Sequence, residues 1–402
     1  MNNISDLSTL QHISPEDKRR LTARLLRERS GAAADPYPLS HNQRSLYVLY
    51  RLDPASAAYH VSFPLRLLDR VNVDAMRRAC QALIERHPQL RARFFERGGE
   101  PMQAMPAGVE VAFEHLDLTG LPAEEQHQRL NAAYRRPFDL AAGPVARFTL
   151  ATRGAEDHVL LPVVHHIAID GHSILIILRE LGALYRQCSA GLPARLPLLV
   201  HGYDDFVHQQ ELMLAGPNGE RLWLYWRDRL AGELPVLDLP TDLPRPPSRG
   251  DRCHTVTVTV APELTARLKA LAKSRGVTLF TLMLAAYQVL LHRHSGQEDI
   301  LVGCPDGSRP GPEYNPVVGY FVNPMIVRGD LSGNPPFTDL LANVARDVID
   351  GFAHREMPFA VLVERLGLGR DPSRTPLFQA AFNFLQLVNG RARTGRRGDH
   401  LV

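Results

Sequence analysis

His165 and His166 are followed by Asp170 and Gly171 at the point where a predicted strand meets a predicted helix. Residues 158–164 form a short apolar run, which is typical of a buried strand. Apolar residues then recur at helical spacing, so a helix is expected to begin just after Gly171. Such a turn on a rigid scaffold commonly presents side chains to a cleft. The pattern therefore predicts a histidine that can take up a proton near neutral pH.

Taken alone, the histidine pattern leaves two other interpretations open. His165 and His166 could be hydrogen-bonded core residues at the end of a strand. Histidine together with a carboxylate could also bind zinc in a metal-dependent hydrolase. No second cluster of His or Cys at ligand spacing accompanies the pair in the sequence, so we predict no metal site.

Six further motifs accompany the double histidine. They are SHNQRSLY at 40–47, RHPQLRARF at 86–94, YDDF at 203–206, VGYFVN at 318–323, HREMPF at 354–359 and RDPSRTPL at 370–377. With these motifs in this order, the chain resembles the condensation domains of nonribosomal peptide synthetases, whose active-site signature is the double-histidine motif. Pro88 departs from the family's pattern, which has Glu at that position.

The resemblance implies an α/β (α+β) fold of two chloramphenicol acetyltransferase-like lobes. In that family the lobes form a V-shaped pseudo-dimer with a tunnel between them. We accordingly divide the chain into a helical leader and linker at 1–35, an N-terminal lobe at 36–233, a Pro-rich crossover at 234–250, a C-terminal lobe at 251–388 and a basic tail at 389–402. The C-terminal lobe is shorter than usual in the family, which predicts an unpaired sheet edge, and the tail is expected to be disordered.

Periodicity predicts the main elements of the two lobes. It indicates strands at 91–95, 109–113, 255–260 and 299–303, and helices at 73–86, 262–274 and 278–293. Ahead of them, Ser14 and Pro15 are a favourable helix start. The helix that follows is rich in Lys and Arg, and we interpret it as a solvated helix rather than a docking helix for an acidic partner.

Composition is compatible with a large enzyme and excludes several other classes. The 402 residues are 45% hydrophobic, enough for more than one buried core, and the net charge of +3 does not indicate a nucleic-acid or membrane partner. The four cysteines are far apart, as expected for incidental thiols in a reducing compartment. The sequence contains no signal peptide and no apolar stretch of membrane-spanning length. We therefore expect a cytoplasmic protein.

The resemblance implies amide formation from a thioester. An acyl or peptidyl thioester would be attacked by the amine of an aminoacyl group on a phosphopantetheinyl carrier protein. We expect His166 to act as the base or to position the amine, and His165 to anchor the turn. Asp170 is expected to form an ion pair that holds the turn, with an arginine in the region 86–93 as its partner. Gly171 and Ser173 could line the acceptor side.

Three further residues are candidates for support of the substrates. Arg86 and Arg91 could act near the site, although a salt bridge or a helix cap is the simpler interpretation. Asn323 could donate a hydrogen bond to a pantetheine arm or could be a turn asparagine. The expected partners are an acceptor carrier protein with its adenylation domain and either an upstream carrier protein or an acyl-coenzyme A donor. No covalently bound cofactor is expected.

Two features bear on the subtype. Heterocyclising relatives carry Asp in place of the first histidine, so His165 argues against that branch. Because the chain begins at Met1, the donor is expected to come from outside. Residues 37–40, 56–60 and 323–324 resemble starter domains and domains that follow polyketide modules. An acyl donor in nonribosomal peptide or lipopeptide synthesis is therefore favoured. The alternative is a non-catalytic docking module of the same fold, made inactive by the short C-terminus.

Overall fold

The structure is a computed structural model that describes residues 18, 19, 22, 35–246, 253–369, 371 and 373–385. The predicted helix start at Ser14 and the tail at 389–402 lie outside the described residues. The described part of the chain divides into two compact units, one with its residues up to 212 together with 307–321, the other with its residues in 213–306 and 322–385. The predicted boundary at 233 therefore falls inside the second unit, and 307–321 belongs to the first.

The first unit alternates strands with helices. Its strands are β1 (Tyr37–Pro38), β2 (His60–Ser62), β3 (Leu65–Leu67), β4 (Arg93–Arg97), β5 (Glu100–Ala104), β6 (Ala112–Asp117), β7 (Ala146–Gly154) and β8 (Asp157–His165). Its helices are α1 (His41–Leu52), α2 (Val73–Arg86), α3 (Ala123–Arg135), α4 (Gly171–Ser189) and α5 (Tyr203–Ala215), the last of which continues into the second unit.

The double histidine lies at the end of the main sheet of this unit. The strand order is β2-β8-β7-β6, with β3 also paired to β8. Strand β8 is antiparallel to β7 and is buried from His158 to His165, which explains its continuous apolar run. Phe148, Leu160 and Ile177 belong to the core around this sheet. The core thus fixes β8, and β8 delivers the histidines to the turn before α4.

The second unit has a smaller sheet covered by helices. Its strands are β9 (Asp299–Asp306), β10 (Asn323–Asp330) and β11 (Ala380–Ala381), and its helices are α6 (Pro217–Arg229), α7 (Pro262–Ser274), α8 (Leu279–Ser295), α9 (Phe337–Ala353) and α10 (Phe359–Arg365). The order is β10-β9-β11, with β10 antiparallel and β11 parallel to β9. No single helix among the described residues has the length and apolarity to cross a membrane; only α7 and α8 together do, bent by 103°.

Most predicted elements are confirmed, with shifted ends. The helices at 73–86 and 262–274 are present, and the one predicted at 278–293 is α8, capped by Thr278. The strand predicted at 91–95 begins at Arg93 because Pro88–Arg91 forms a 3-10 helix, and the strand predicted at 109–113 begins at Ala112. The strand at 299–303 is confirmed as part of β9.

The strand predicted at 255–260 is wrong. This segment pairs with no strand in the described part of the chain, and the alternate valines Val256 and Val258 are 86% and 79% exposed. Alternation of Thr and Val makes a segment suitable for a sheet, but a strand also needs a neighbour to complete its ladder.

Gly219 in the first turn of α6 provides a test of the packing in the second unit. A Cβ at this position would lie 2.4 Å from the carbonyl oxygen of Leu214. Because that contact is with backbone, we expect Gly219→Ala to lower the free energy of unfolding by about 1–3 kcal/mol. Gly369→Ala, whose Cβ would meet nothing within 4 Å, is the control and should change it by less than about 0.5 kcal/mol. Urea unfolding measures both; equal stability of the two variants would contradict the close contact.

Candidate active site

His166 starts the short 3-10 turn His166–Ala168 that follows β8. Its Nδ1 lies 2.7 Å from the carbonyl oxygen of Ile169. A carbonyl only accepts, so Nδ1 carries the proton, and the neutral ring keeps its lone pair on Nε2. No described residue forms a hydrogen bond with Nε2. The half-buried ring meets Tyr320 edge-on, with 5.2 Å between the ring centroids. The turn thus presents an imidazole whose lone pair is available to a substrate.

His165 occupies a different environment. Its side chain is buried, and its Nδ1 accepts a hydrogen bond from the Ile167 N–H at 3.2 Å. The surrounding rings belong to Tyr50, Tyr59, His60 and Phe138. Burial, followed by the nearby His60 and His166, lowers the pKa of His165 to about 3. A neutral ring that holds the turn from inside agrees with the anchoring role expected from the sequence.

Asp170 is the N-cap of α4 and is fully buried. Its Oδ1 accepts hydrogen bonds from the Ser173 N–H and hydroxyl, both at 2.8 Å, and from Nη2 of Arg309 at 3.1 Å. Its Oδ2 accepts from Nη1 of Arg309 and from the Phe321 N–H at 3.1 Å. Five donors on two oxygens leave the carboxylate no room to accept a proton from a substrate. Asp170 therefore positions the turn.

The ion pair of Asp170 is confirmed, but its predicted partner is wrong. The guanidinium is that of Arg309, which lies in the segment 307–321 of the first unit and stacks on the Phe321 ring at 3.9 Å. Arg86 instead donates from Nε to Glu180 Oε2 at 2.7 Å. Arg309 stands 139 residues away in a Gly/Pro-rich turn. Nothing in that local pattern distinguishes it from a surface arginine.

Of the other residues predicted to support or line the site, Arg91 and Ser173 form internal hydrogen bonds and Gly171 is exposed. Arg91 donates from Nε to the Pro106 carbonyl oxygen at 3.1 Å, away from Asp170. Ser173 is fully buried beside Asp170. Its hydroxyl donates to the Asp170 carboxylate and lies 3.0 Å from the Gly319 carbonyl oxygen. The prediction that Ser173 lines a substrate site is therefore wrong. Gly171 is exposed, and a Cβ there would meet nothing within 4 Å. Of Gly171 and Ser173, only Gly171 faces open space.

Asn323 lies in the second unit at the start of β10. Its Nδ2 donates to the carbonyl oxygens of Arg355 and Met357 at 2.6 and 2.7 Å, and its Oδ1 accepts from the Phe359 N–H at 2.8 Å. The side-chain amide thereby fixes the turn between α9 and α10. The alternative in which Asn323 serves a turn fits this geometry, and the pantetheine alternative does not, because these hydrogen bonds already engage both ends of the amide.

Sequence reasoning missed a chain of buried glutamines behind the turn. Gln43 donates to the Ile167 carbonyl oxygen at 2.8 Å, and its own Oε1 accepts from Gln103 at 3.0 Å. Gln103 in turn accepts from Gln89 at 3.2 Å. Gln43 and Gln89 belong to two of the motifs quoted above, and this was the only sign in the sequence that they contribute to the turn. The chain of glutamines supports the residue next to His166 from the side of α1.

Tyr203, from a third motif, joins the same support. Its hydroxyl donates to the Tyr320 carbonyl oxygen at 2.7 Å and lies 3.0 Å from the Ser40 hydroxyl. Burial raises the pKa of both tyrosine phenols, so they stay protonated. Among the described residues, no group of three or more His, Cys, Asp or Glu side chains is placed to hold a metal ion.

Residues 33–395 match the family model for the condensation domain. The chain belongs to the condensation domain family. It is 39% identical over 382 residues to one of the linear gramicidin synthase proteins of Brevibacillus parabrevis, covering 91% of this chain and 5% of that protein. It is also 39% identical over 349 residues to one of the plipastatin synthase proteins of Bacillus subtilis (strain 168), covering 87% of this chain and 13% of that protein. The chain thus spans a small part of these synthetases.

Solved structures of other proteins share the fold. The X-domain from teicoplanin biosynthesis superposes with a TM-score of 0.79 at 28% identity, covering 86% of this chain and 76% of that one. The first condensation domain of the CDA synthetase superposes with a TM-score of 0.73 at 21% identity, covering 90% and 85%. The family and the mixed α/β, chloramphenicol acetyltransferase-like fold class expected from the sequence are confirmed.

The Asp170–Arg309 pair is the basis of a stability prediction. Asp170→Ala leaves a buried guanidinium without its carboxylate, so we expect the free energy of unfolding to fall by about 3–5 kcal/mol. Arg309→Met strands the carboxylate and should cost a similar amount. The double variant should lose clearly less than the sum of the two, because neither charge then remains buried alone. Urea unfolding of the three variants and the parent measures this; simple additivity would contradict a direct pairing.

The buried His165 is the basis of a pH prediction. Its pKa of about 3 in the fold lies below the value of about 6.5 in an unfolded chain, so the unfolded state binds more protons between those values. Stability should therefore be full above about pH 6.5 and fall as the pH is lowered toward 3. His60 and His87, whose pKa values burial also lowers, contribute in the same direction.

Replacement of His165 isolates its share of this pH dependence. Asn keeps a side-chain acceptor for the Ile167 N–H but does not titrate, so His165→Asn should flatten the decline by up to about 1.4 kcal/mol per pH unit. Thermal and urea unfolding between pH 7.5 and 4 measure the slopes. His254→Asn, at an exposed position, is the control for loss of one histidine. An identical slope for His165→Asn and the parent would contradict the assignment.

Proposed function

We propose that this condensation domain forms an amide bond between an acyl or peptidyl thioester and the amine of an aminoacyl group on a phosphopantetheinyl carrier protein. The observation that carries the proposal is the state of His166. Its Nδ1 proton is held by the Ile169 carbonyl oxygen at 2.7 Å, so the lone pair on Nε2 is free to receive a proton. The membership of the chain in its family supplies the reaction class.

The proposed step transfers one proton through His166. The acceptor amine nitrogen attacks the thioester carbonyl carbon, and the C–N bond forms as Nε2 of His166 takes the proton that the amine loses. The tetrahedral adduct then collapses, the C–S bond breaks, and the proton passes to the departing sulfur. The products are one amide and one free pantetheine thiol. A thioester is already activated, so orientation of two tethered substrates contributes much of the acceleration.

The remaining residues of the turn have positioning roles in this proposal. Asp170 fixes the start of α4 through Arg309, and His165 fixes the end of β8. Gly171 is exposed and has open space where a Cβ would be, which allows a substrate to approach the backbone closely. A residue with a side chain at this position would occupy that space.

The partners follow from the substrates. An acceptor carrier protein with its adenylation domain would supply the amine, and an upstream carrier protein or acyl-coenzyme A would supply the thioester. We favour an acyl donor, as in starter domains and domains after polyketide modules. A reducing cytoplasm suits both the free pantetheine thiol and the unpaired cysteines of the described residues.

A second candidate is a docking module that performs no chemistry. It is favoured by the similarity to the teicoplanin X-domain, a relative that has also been solved in complex with OxyB. In this alternative, the domain would bind a partner protein, and His166 would be dispensable. Product formation by the purified domain distinguishes the two candidates.

The test uses purified domain, an aminoacyl-loaded carrier protein and a carrier-bound or coenzyme A-bound acyl donor. We expect the loaded acceptor to gain the mass of the acyl group in intact-protein mass spectrometry. His166→Ala should slow this by at least about tenfold, the lower side of losses for a removed general base. His294→Ala, at an exposed position on α8, is the control and should react at the parent rate.

Two outcomes would count against the proposal. Equal rates for His166→Ala and the parent would remove His166 from the chemistry. Absence of product with every donor and acceptor pair, from a protein whose unfolding curve is cooperative, would favour the docking module.

A further inference from the structure

The phenol of Tyr320 lies beside the imidazole of His166. The two rings meet edge-on, with 5.2 Å between their centroids and 81° between their planes. Both residues belong to the first unit, and the Tyr320 carbonyl oxygen accepts from the Tyr203 hydroxyl at 2.7 Å. Because its backbone is held and its ring contacts His166, the phenol has a defined place next to the proposed base.

The hydroxyl of Tyr320 has no hydrogen-bond partner among the residues that the structure describes. The side chain is partly exposed, and its oxygen is not one of the fully enclosed polar atoms that lack a partner, so it is accessible. Other tyrosines of this unit use their hydroxyls to hold backbone. That of Tyr50 accepts from the Leu140 N–H at 3.3 Å. That of Tyr134 donates to the His60 carbonyl oxygen at 3.2 Å. The hydroxyl of Tyr320 serves no such purpose and is available to a substrate.

The Tyr320 phenol is a neutral donor. Burial, followed by the nearby Tyr59 and the Asp170 carboxylate, raises its pKa above its usual range. Burial and neighbouring negative charge both disfavour a phenolate. The group therefore keeps its proton at neutral pH, where it can donate a hydrogen bond but does not act as a base.

The proposed condensation creates a strong acceptor that neither His166 nor Asp170 can serve. As the amine nitrogen attacks, the thioester carbonyl oxygen becomes the oxyanion of the tetrahedral adduct. His166 holds its only ring proton on Nδ1, where the Ile169 carbonyl oxygen accepts it, and Asp170 only accepts. A donor placed where this charge develops stabilises the adduct, and loss of one such donor costs about 10²–10³-fold in rate in well-studied acyl-transfer enzymes.

We propose that Tyr320 is a catalytic residue whose hydroxyl donates a hydrogen bond to the thioester carbonyl oxygen and to the oxyanion formed from it. The role rests on the proposed condensation. The phenol keeps its proton throughout: the C–N bond forms as His166 takes the amine proton, the carbonyl oxygen takes the electron pair, and the adduct collapses as the C–S bond breaks. The hydrogen bond is stronger to the oxyanion than to the carbonyl, so it lowers the barrier more than it tightens binding.

The variant Tyr320→Phe keeps the ring beside His166 and removes only the donor. With an acyl-coenzyme A thioester and an aminoacyl-loaded carrier protein, we expect kcat to fall at least about tenfold, while KM for the thioester changes less than about threefold. The urea unfolding midpoint should stay at the parent value, because the hydroxyl has no partner in the fold. Tyr287→Phe is the matched control and should react at the parent rate. Tyr287 is also partly exposed, and its ring packs on Phe382 in the second unit.

A second donor substrate separates contact with the carbonyl oxygen from a general disturbance of the turn. In the corresponding dithioester, sulfur replaces the carbonyl oxygen and accepts a hydrogen bond only weakly. The ratio of the parent rate to the Tyr320→Phe rate should then shrink from at least about tenfold to about twofold or less. A displaced His166 would slow both donors to the same degree, so an equal ratio for the two donors would overturn the proposal. If the unfolding midpoint of Tyr320→Phe does fall, this comparison of donors decides.

The outcomes also distinguish a failure of this proposal from a failure of the proposed function. A parent protein that forms the amide, with Tyr320→Phe forming it at the same rate, would overturn the role of Tyr320 and leave the condensation activity intact. A parent protein that forms no amide with any donor and acceptor would overturn both. An equal loss in Tyr287→Phe and Tyr320→Phe would show that the hydroxyl beside His166 has no special role.

Discussion

The buried ion pair between Asp170 and Arg309 is the interaction on which the geometry of the double-histidine turn depends. Removal of two charges from water is unfavourable by several kcal/mol per ion, and their attraction compensates only when their hydrogen bonds are also satisfied. Here the carboxylate accepts from Ser173 and Phe321 as well as from Arg309. The pair therefore joins the start of α4 to a segment 139 residues away, and any shift of either would leave a buried charge unsatisfied.

Two adjacent histidines are held in different ways because their surroundings differ. His165 ends β8 inside a ring of aromatic side chains, where burial disfavours a proton. His166 lies one residue further, in the turn, where a carbonyl fixes one nitrogen and leaves the other available. The residue type gives the capacity to carry a proton, and the environment decides which ring nitrogen is accessible.

The sequence contained enough information for the local elements, including the strand and helix on either side of the double histidine, but not for the long-range partners of that turn. Helices such as α2 and α8 can be predicted from apolar residues that recur at helical spacing over about four turns. Strand β8 can be predicted from its continuous apolar run. Arg309 escaped prediction because an ion pair across 139 residues leaves no local pattern. The segment 255–260 shows the opposite error, since its alternation is clear but the neighbouring strand it requires is missing among the described residues.

Motifs far apart in the sequence converge on one support for a single imidazole. The Ser40 and Tyr203 hydroxyls meet, Tyr203 holds the carbonyl oxygen of Tyr320, and the Tyr320 ring lies beside His166. Gly319 belongs to the same support, because a Cβ there would lie 2.2 Å from the Tyr203 ring. Only one of these residues offers a free basic nitrogen. Holding one imidazole ring in a half-buried turn requires many contacts, because each buried polar neighbour also needs its own hydrogen-bond partner. This requirement explains why several motifs contribute to the support of one ring.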